Sequence, residues 1–193
     1  MKNLLLVGLG NPERQYVSTR HNMGSNMISL LSKFLSVNLV NKEKLKGIYA
    51  RQIIGDTNIH LLIPSVFMNN SGQTVLAAKN YLNLEISNVL VMHDELDILP
   101  GISKYKLGGG HGGHNGLKDI IQRLGDNSFH RLRIGIGHPG KGKDISEYVL
   151  NSPSKDDKLK IQSSFNNIVN LLPLISENKW QEVMLNLHTE EQQ

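Results

Sequence analysis

The stretch Leu4-Leu5-Leu6-Val7-Gly8-Leu9 is a continuous apolar run, the pattern of a strand buried on both faces of a sheet. Val89–Met92 is a second short run of this kind, and the polar residues His93-Asp94-Glu95 follow it. Helical patterns lie between such runs, at 22–35 and 71–82. Strands that alternate with helices predict an α/β domain whose helices pack on both sides of a central sheet.

The region 48–63 reads as a hairpin, because Ile48–Ile54 and Asn58–Ile63 flank the turn residues Gly55-Asp56-Thr57. A hairpin makes the sheet mixed, although mostly parallel. Further strands are predicted at 102–107 and 130–137, and a further helix at 115–124. We therefore expect a three-layer α/β/α fold of the phosphorylase/hydrolase-like kind, as a single domain over 1–193.

Side-chain patterns also predict which helix faces are buried. In the first helix Met27 and Phe34 share the apolar face, and Ser71 is placed to cap the second helix. The C-terminal region is expected to be helical over about 154–188, as two helices separated near Pro173, with a frayed tail at 189–193.

The composition is that of an ordinary globular protein, with 39% hydrophobic and 20% charged residues. There is no cysteine, which excludes disulfides, thiolate metal ligands and a cysteine nucleophile. The formal net charge of +4 favours an anionic partner, nucleic acid first. The apolar run near Met1 is too short for a signal peptide, and no stretch approaches the roughly 20 residues that span a bilayer.

The segment Gly108–Gly116 contains six glycines, His111, His114 and Asn115. Such a loop suits positive φ angles or the close approach of a ligand, and it leads into a helix N-terminus that attracts anions or polarised carbonyls. His111 and His114 could be metal ligands, but a zinc site would need a third ligand from elsewhere, and we expect no metal. A dinucleotide site is excluded by spacing, because the third glycine of Gly-x-Gly-x-x-Gly would fall at Glu13.

His21 lies just before a helix and near the exit of the first strand, which makes it a candidate general base. It would need a carboxylate to orient it, and Asp94 is the best candidate, with Glu95 and Asp97 as alternatives. Ligands bind at the carboxyl ends of strands in such sheets. We expect four polar clusters to meet there in one cleft, and they are 10–12, 67–69, 93–94 and 114–115.

Uncharged amides and alternating cations complete the candidate set. Asn69 and Asn115 could hold a water or a substrate carbonyl, although turn chemistry explains them equally well. Four cations alternate along two strands and could face one partner or simply a solvated sheet edge: Lys104, Lys106, Arg131 and Arg133.

Taken together, these blocks resemble bacterial-type peptidyl-tRNA hydrolases from Leu4 to about Gly140, and more loosely beyond. The blocks that carry the resemblance are Val7-Gly-Leu-Gly-Asn-Pro12, Tyr16 with Thr19-Arg-His-Asn-Met-Gly24, Pro64 with Phe67-Met-Asn69 and Ser71-Gly72, His93-Asp-Glu-Leu-Asp97, Lys106–Asp119 and Phe129–Gly140. Glu13 and Asn70 depart from the family pattern, which predicts an effect on substrate preference.

The resemblance implies an esterase that cuts the bond between a peptide and the 3′ ribose of tRNA. His21 would be the catalytic base, Asp94 would orient it, and Asn11 would help to distinguish N-blocked peptidyl-tRNA from free aminoacyl-tRNA. The residues implied to line the peptide and 3′-end site are Tyr16, Phe67, Met68, Asn69, His114 and Asn115.

The resemblance also implies that Lys106 and Arg133 clamp a tRNA phosphate. It implies no metal and no organic cofactor, no membrane partner, a monomer and a cytoplasmic location. The alternative left open is an RNA-binding module of the same fold that lacks catalysis.

Overall fold

The computed structural model describes residues 1–189, and seven strands in this range form one sheet. The strands are β1 Lys2–Gly8, β2 Val40–Lys42, β3 Gly47–Ile54, β4 Thr57–Pro64, β5 Val89–Glu95, β6 Ser103–Leu107 and β7 His130–Gly135. Their order across the sheet is β2-β3-β4-β1-β5-β7-β6. The four central strands are parallel and the pairs at both edges are antiparallel, which confirms the predicted mixed, mostly parallel sheet.

Seven α-helices cover the two faces of this sheet within the described range. They are α1 Met23–Phe34, α2 Ser71–Tyr81, α3 Asn115–Leu124, α4 Ile145–Val149, α5 Lys155–Asn170, α6 Leu172–Ser176 and α7 Trp180–Thr189. None of the helices in residues 1–189 is both long enough and apolar enough to cross a membrane.

The strand β1 contributes to two hydrophobic cores because its side chains alternate between the faces of the sheet. Leu4 and Leu6 pack in the core with α1, α5, α6 and α7, whereas Leu5 and Val7 pack in the core with α2 and α3. All four side chains are fully buried. The result is the three-layer arrangement that the apolar run predicts.

Several local predictions differ from the structure. Phe34 is 60% exposed at the end of α1, so it does not belong to the buried face. Ser71 does not cap α2: the chain enters this helix through a 3₁₀ turn at Met68–Asn70, and the Ser71 hydroxyl donates to the carbonyl of Met68. The C-terminal region contains three helices instead of two, and of the predicted frayed tail, residues 190–193 lie outside the described range.

The start of α1 lies directly against the ends of β1 and β5, and Gly24 makes this contact possible. A Cβ atom on Gly24 would lie 2.1 Å from the carbonyl oxygen of Met92 and 2.6 Å from the amide nitrogen of Leu9. Both are main-chain atoms, one within β5 and one directly after β1, and they cannot move aside cheaply. Gly24 therefore fixes the distance between the sheet and the residues just before α1.

Replacing Gly24 with alanine is expected to lower the free energy of unfolding by about 1–3 kcal/mol, because the added methyl overpacks a rigid main-chain contact. Urea unfolding measures the change. Gly110→Ala is the control, since a Cβ at Gly110 meets no atom within 4 Å. Equal effects of the two substitutions would contradict the steric argument.

Candidate active site

A cavity of about 670 Å³ opens at the carboxyl end of the parallel strands. The four polar clusters that the sequence places at strand exits all contribute to its wall. The residues concerned are Asn11, Phe67, Met68, Asn69, His93, Asp94, His114 and Asn115. His21 also lies in this wall, so the cavity brings together most of the candidate residues.

His21 and Asp94 form a buried pair in this cavity. His21 lies in a 3₁₀ turn just before α1, and Asp94 lies inside β5 instead of in the loop after it. The Nδ1 atom of His21 is 3.0 Å from both carboxylate oxygens of Asp94. Since a carboxylate only accepts, Nδ1 carries the proton and Nε2 keeps its lone pair. No other described residue makes a hydrogen bond to Nε2.

His114 is the second donor to Asp94, and its own orientation is fixed from the other side. Its Nδ1 accepts from the amides of Gly116 at 3.1 Å and Leu117 at 3.4 Å, which caps α3. Its Nε2 therefore carries the proton and donates to Asp94 Oδ1 at 3.0 Å. Both nitrogens of His114 are occupied, so of the two histidines only His21 has a nitrogen free to act as a base.

The electrostatics of the trio formed by His21, Asp94 and His114 favour a charged Asp94 and a basic His21. Burial alone would raise the pKa of the Asp94 carboxyl, but attraction by His21 and His114 and their hydrogen bonds hold this pKa well below its usual range. Burial would lower the pKa of His21, but the charge and hydrogen bonds of Asp94 outweigh it and raise this pKa above 6.5. Asp94 thus stays ionised and stabilises a proton on His21.

Among the residues that the structure describes, the same trio is the group of side chains that could hold a metal ion. Ligand atoms of His21, Asp94 and His114 lie within 4.8 Å of one another. A metal would have to replace the two protons that the histidines donate to Asp94. His111, one of the two histidines first considered as ligands, is outside the trio, and its Nδ1 accepts from the amide of Gly113 at 3.1 Å.

His93 belongs to the predicted cluster 93–94, and the structure places it in the cavity wall. Its Nδ1 donates to the Asp94 carbonyl at 2.8 Å, and its ring meets that of His114 edge-on at 5.1 Å between centroids. Burial lowers the pKa of His93 to about 3, with the neighbouring His114 adding to the effect, so the ring is neutral.

Three amide side chains, those of Asn11, Asn69 and Asn115, line the same cavity as His21. Asn11 is held by Met68, whose main-chain N–H donates to Asn11 Oδ1 at 2.8 Å. Asn69 and Asn115 are exposed in the cavity wall and are available to a ligand. Phe67 adds an apolar surface beside them and is 47% exposed. The cavity therefore offers both an apolar wall and uncharged polar groups.

Of the residues predicted to line the peptide and 3′-end site, Tyr16 is not among the residues of the cavity wall. It ends a 3₁₀ turn at Arg14–Tyr16, and its carbonyl accepts from the amide of Thr19 at 3.0 Å and from the Thr19 hydroxyl at 2.7 Å. Its described bonds thus shape the turn that leads to His21.

The four alternating cations separate into different environments. Arg133 pairs with Glu95 at 2.9 Å, while Lys106 is exposed with its amino group folded over Gly109. Arg131 is only 2% exposed, and its guanidinium donates to carbonyls of the glycine loop. Of the two alternatives left open for these cations, a solvated sheet edge does not apply to Arg131, because the loop folds back over it.

The short helix α4 forms a cavity wall that the sequence pattern does not indicate. The wall residues from this segment are Ile145, Ser146, Val149 and Leu150. Arg20, the residue before the candidate base, holds the end of this helix. Its Nη1 donates to the carbonyls of Tyr148, Asn151 and Ser152 at 3.0–3.2 Å, and its guanidinium carbon lies 3.9 Å from the centre of the Tyr148 ring.

Comparison with known proteins gives matches over nearly the whole chain. A model of the family described as peptidyl-tRNA hydrolase matches residues 5–193. The peptidyl-tRNA hydrolase of Pseudomonas syringae pv. tomato is 44% identical over 187 residues, covering 96% of each chain. That of Nitrosospira multiformis is 45% identical over 188 residues, covering 97% of this chain and 98% of its own. The crystal structure of peptidyl-tRNA hydrolase from Acinetobacter baumannii has a TM-score of 0.91 at 38% identity, covering 95% of this chain and 93% of its own.

Proposed function

This chain belongs to the peptidyl-tRNA hydrolase family and hydrolyses peptidyl-tRNA, and we propose that His21 is the general base of this reaction. The observation that carries the proposal is the 3.0 Å contact of His21 Nδ1 with Asp94, which leaves Nε2 as an acceptor in the cavity. Release of free tRNA from N-acetylated aminoacyl-tRNA tests the activity and its residues.

The reaction needs a base because water is a poor nucleophile toward an ester. Nε2 of His21 would take a proton from water as the oxygen attacks the ester carbonyl carbon. The tetrahedral intermediate would then collapse, breaking the bond to the ribose oxygen, and the imidazolium would return the proton to that oxygen. Asp94 would stabilise the imidazolium between these steps.

The contacts of His114 reduce the number of groups that could donate hydrogen bonds to the developing oxyanion. The amides of Gly116 and Leu117 at the start of α3 are already bonded to its Nδ1. This argues against those two amides and favours the side chains of Asn69 and Asn115, with the free amides of the glycine loop as alternatives.

The substrate would lie along the cavity with its peptide against the apolar wall. Phe67 and Met68 would contact the peptide, and Asn11 would help to select N-blocked substrates. The tRNA 3′ end would enter beside the glycine loop. The placement of Tyr16 argues for an indirect role, through the turn that carries His21.

The family's activity implies a location with the translation machinery, and we infer a cytoplasmic monomer that works without a cofactor. Light scattering tests the oligomeric state. Activity that is undiminished in the presence of a chelator is expected, and a loss that only added metal restores would favour a metal held by the His21, Asp94 and His114 trio. Binding of tRNA without turnover would instead favour the non-catalytic alternative.

The pH profile of kcat/KM is expected to rise with pH through a pKa above 6.5, the ordinary value for histidine. Below this pKa Nε2 of His21 is protonated and cannot accept the proton of water, so the rate falls about tenfold per pH unit. Measuring initial rates from pH 5 to 9 gives the midpoint. A profile whose midpoint lies below 6.5 would contradict the pairing with Asp94.

Lys106→Ala and Arg133→Ala are expected to raise KM for full-length peptidyl-tRNA more than for a minimal 3′-end substrate. Each removes a cation that would contact a phosphate, an effect that weakens with salt. Steady-state kinetics on both substrates measures the difference. Lys2→Ala is the control, since Lys2 lies at the opposite end of β1 from the cavity. Equal changes in KM for the two substrates would count against a phosphate clamp.

A further inference from the structure

Asn22 is a buried polar residue for which the mechanism above has no use. It lies directly before α1 and is 3% exposed. Its Nδ2 donates to the main-chain carbonyl of Asn11 at 2.9 Å, and its Oδ1 accepts from the main-chain N–H of Asn11 at 2.9 Å. Because main-chain groups cannot exchange roles, the orientation of the Asn22 amide is determined by these two bonds.

The space that Asn22 occupies depends on the absence of a side chain at Gly10. A Cβ atom there would lie 2.3 Å from the Ser25 hydroxyl oxygen and 3.0 Å from Cγ of Asn22. The Ser25 hydroxyl also donates to the carbonyl of Asn22 at 2.9 Å. Asn22 is thus held on several sides, and its two hydrogen bonds fix the position of the main chain at Asn11.

The consequence for Asn11 is that its side-chain amide has a fixed orientation, with its NH₂ group left for a ligand. Its Oδ1 is occupied by the amide of Met68, while its Nδ2 makes no hydrogen bond within residues 1–189. Asn11 is half-buried and lines the cavity, so this NH₂ group is available to a ligand there.

We propose that Asn22 is a positioning residue that keeps the NH₂ group of Asn11 presented to the cavity, and thereby favours substrates with an acyl carbonyl over substrates with a free α-ammonium. The inference rests on the proposed function of the cavity. An N-acylated substrate offers a carbonyl acceptor at this place, whereas an α-ammonium has only donors. Without Asn22 the main chain at Asn11 could shift, and Oδ1 could turn toward an ammonium.

The experiment compares single-turnover hydrolysis of an N-acetylated aminoacyl-tRNA with that of the same aminoacyl-tRNA left unblocked. Asn22→Ala removes both bonds to Asn11, and Asn22→Asp keeps the size and the acceptor but loses the donor. We expect the ratio of the two rates to fall roughly 10-fold or more in both variants. The pH midpoint for the acetylated substrate should stay unchanged, because His21 and Asp94 are intact.

The matched control is Asn26→Ala in the next turn of α1, where the amide donates to the carbonyl of Val17 at 2.9 Å. Its ratio should equal that of the wild type. In an Asn11→Ala background, adding Asn22→Ala should lower the ratio no further, since the two residues act as one unit.

A parallel fall of both rates in the Asn22 variants, or an unchanged ratio, would overturn the positioning role. Thermal unfolding identifies a variant that does not fold, and Asn22→Asp preserves the packing if Asn22→Ala fails. A wild-type protein that does not hydrolyse the acetylated substrate would overturn the proposed function itself, so the two failures are distinct.

Discussion

Asp94→Asn is expected to lower kcat by about 10³–10⁴-fold. The amide can present its NH₂ to Nδ1 of His21, which moves the imidazole proton to Nε2 and removes the lone pair that accepts the proton of water. The equivalent change in serine proteases costs about 10⁴-fold for this reason. The substitution also removes the charge that stabilises the imidazolium. Release of tRNA from N-acetylated aminoacyl-tRNA measures kcat.

Asp97→Asn is the control for Asp94→Asn, since it makes the same change in charge at an exposed position three residues further along. It should leave kcat within about twofold of the wild type. Activity of Asp94→Asn near that of the wild type would show that the carboxylate does not orient the base. Loss of activity in Asp97→Asn instead would indicate that Asp97, one of the alternative acids, orients His21.

His21→Ala is expected to lower kcat by about 10²–10⁴-fold, the usual contribution of a general base. KM should change little, because the amide and apolar walls of the cavity remain. His111→Ala is the matched control, a histidine of the same cavity whose Nδ1 only accepts from the glycine loop. Full activity of His21→Ala would exclude the role proposed for His21. Equal losses in both variants would contradict a specific role for His21.

Much of the sheet could be predicted because its strands are apolar runs bounded by turn residues. The end of β5 could not, because His93 and Asp94 read as the polar exit of a strand. They are instead buried within it, where His21 and His114 satisfy Asp94. A local pattern contains no information about a partner 73 residues away.

The pairing of His21 with Asp94, the proposed catalytic pair, could be predicted from residue chemistry, but the residues that hold it in place could not. Asn22 and Arg20 flank His21 in the sequence, and each acts through main-chain groups of distant segments. Arg131 reads as a surface cation because its neighbours in the strand alternate in polarity. Only the fold of the glycine loop, which covers its guanidinium, shows that it is buried.

The contacts between Arg20 and the end of α4 determine how much of this enzyme must be synthesised before its cavity can be complete. While it is being synthesised, the growing chain is itself attached to tRNA through an ester and is a potential target of its own kind of activity. The contacts of Arg20 span 132 residues, to Ser152. At about 5–20 residues per second, translation takes on the order of ten seconds to supply that partner. The cavity can thus be completed only when most of the chain exists, and we expect the ability to hydrolyse to arise late in the protein's own synthesis.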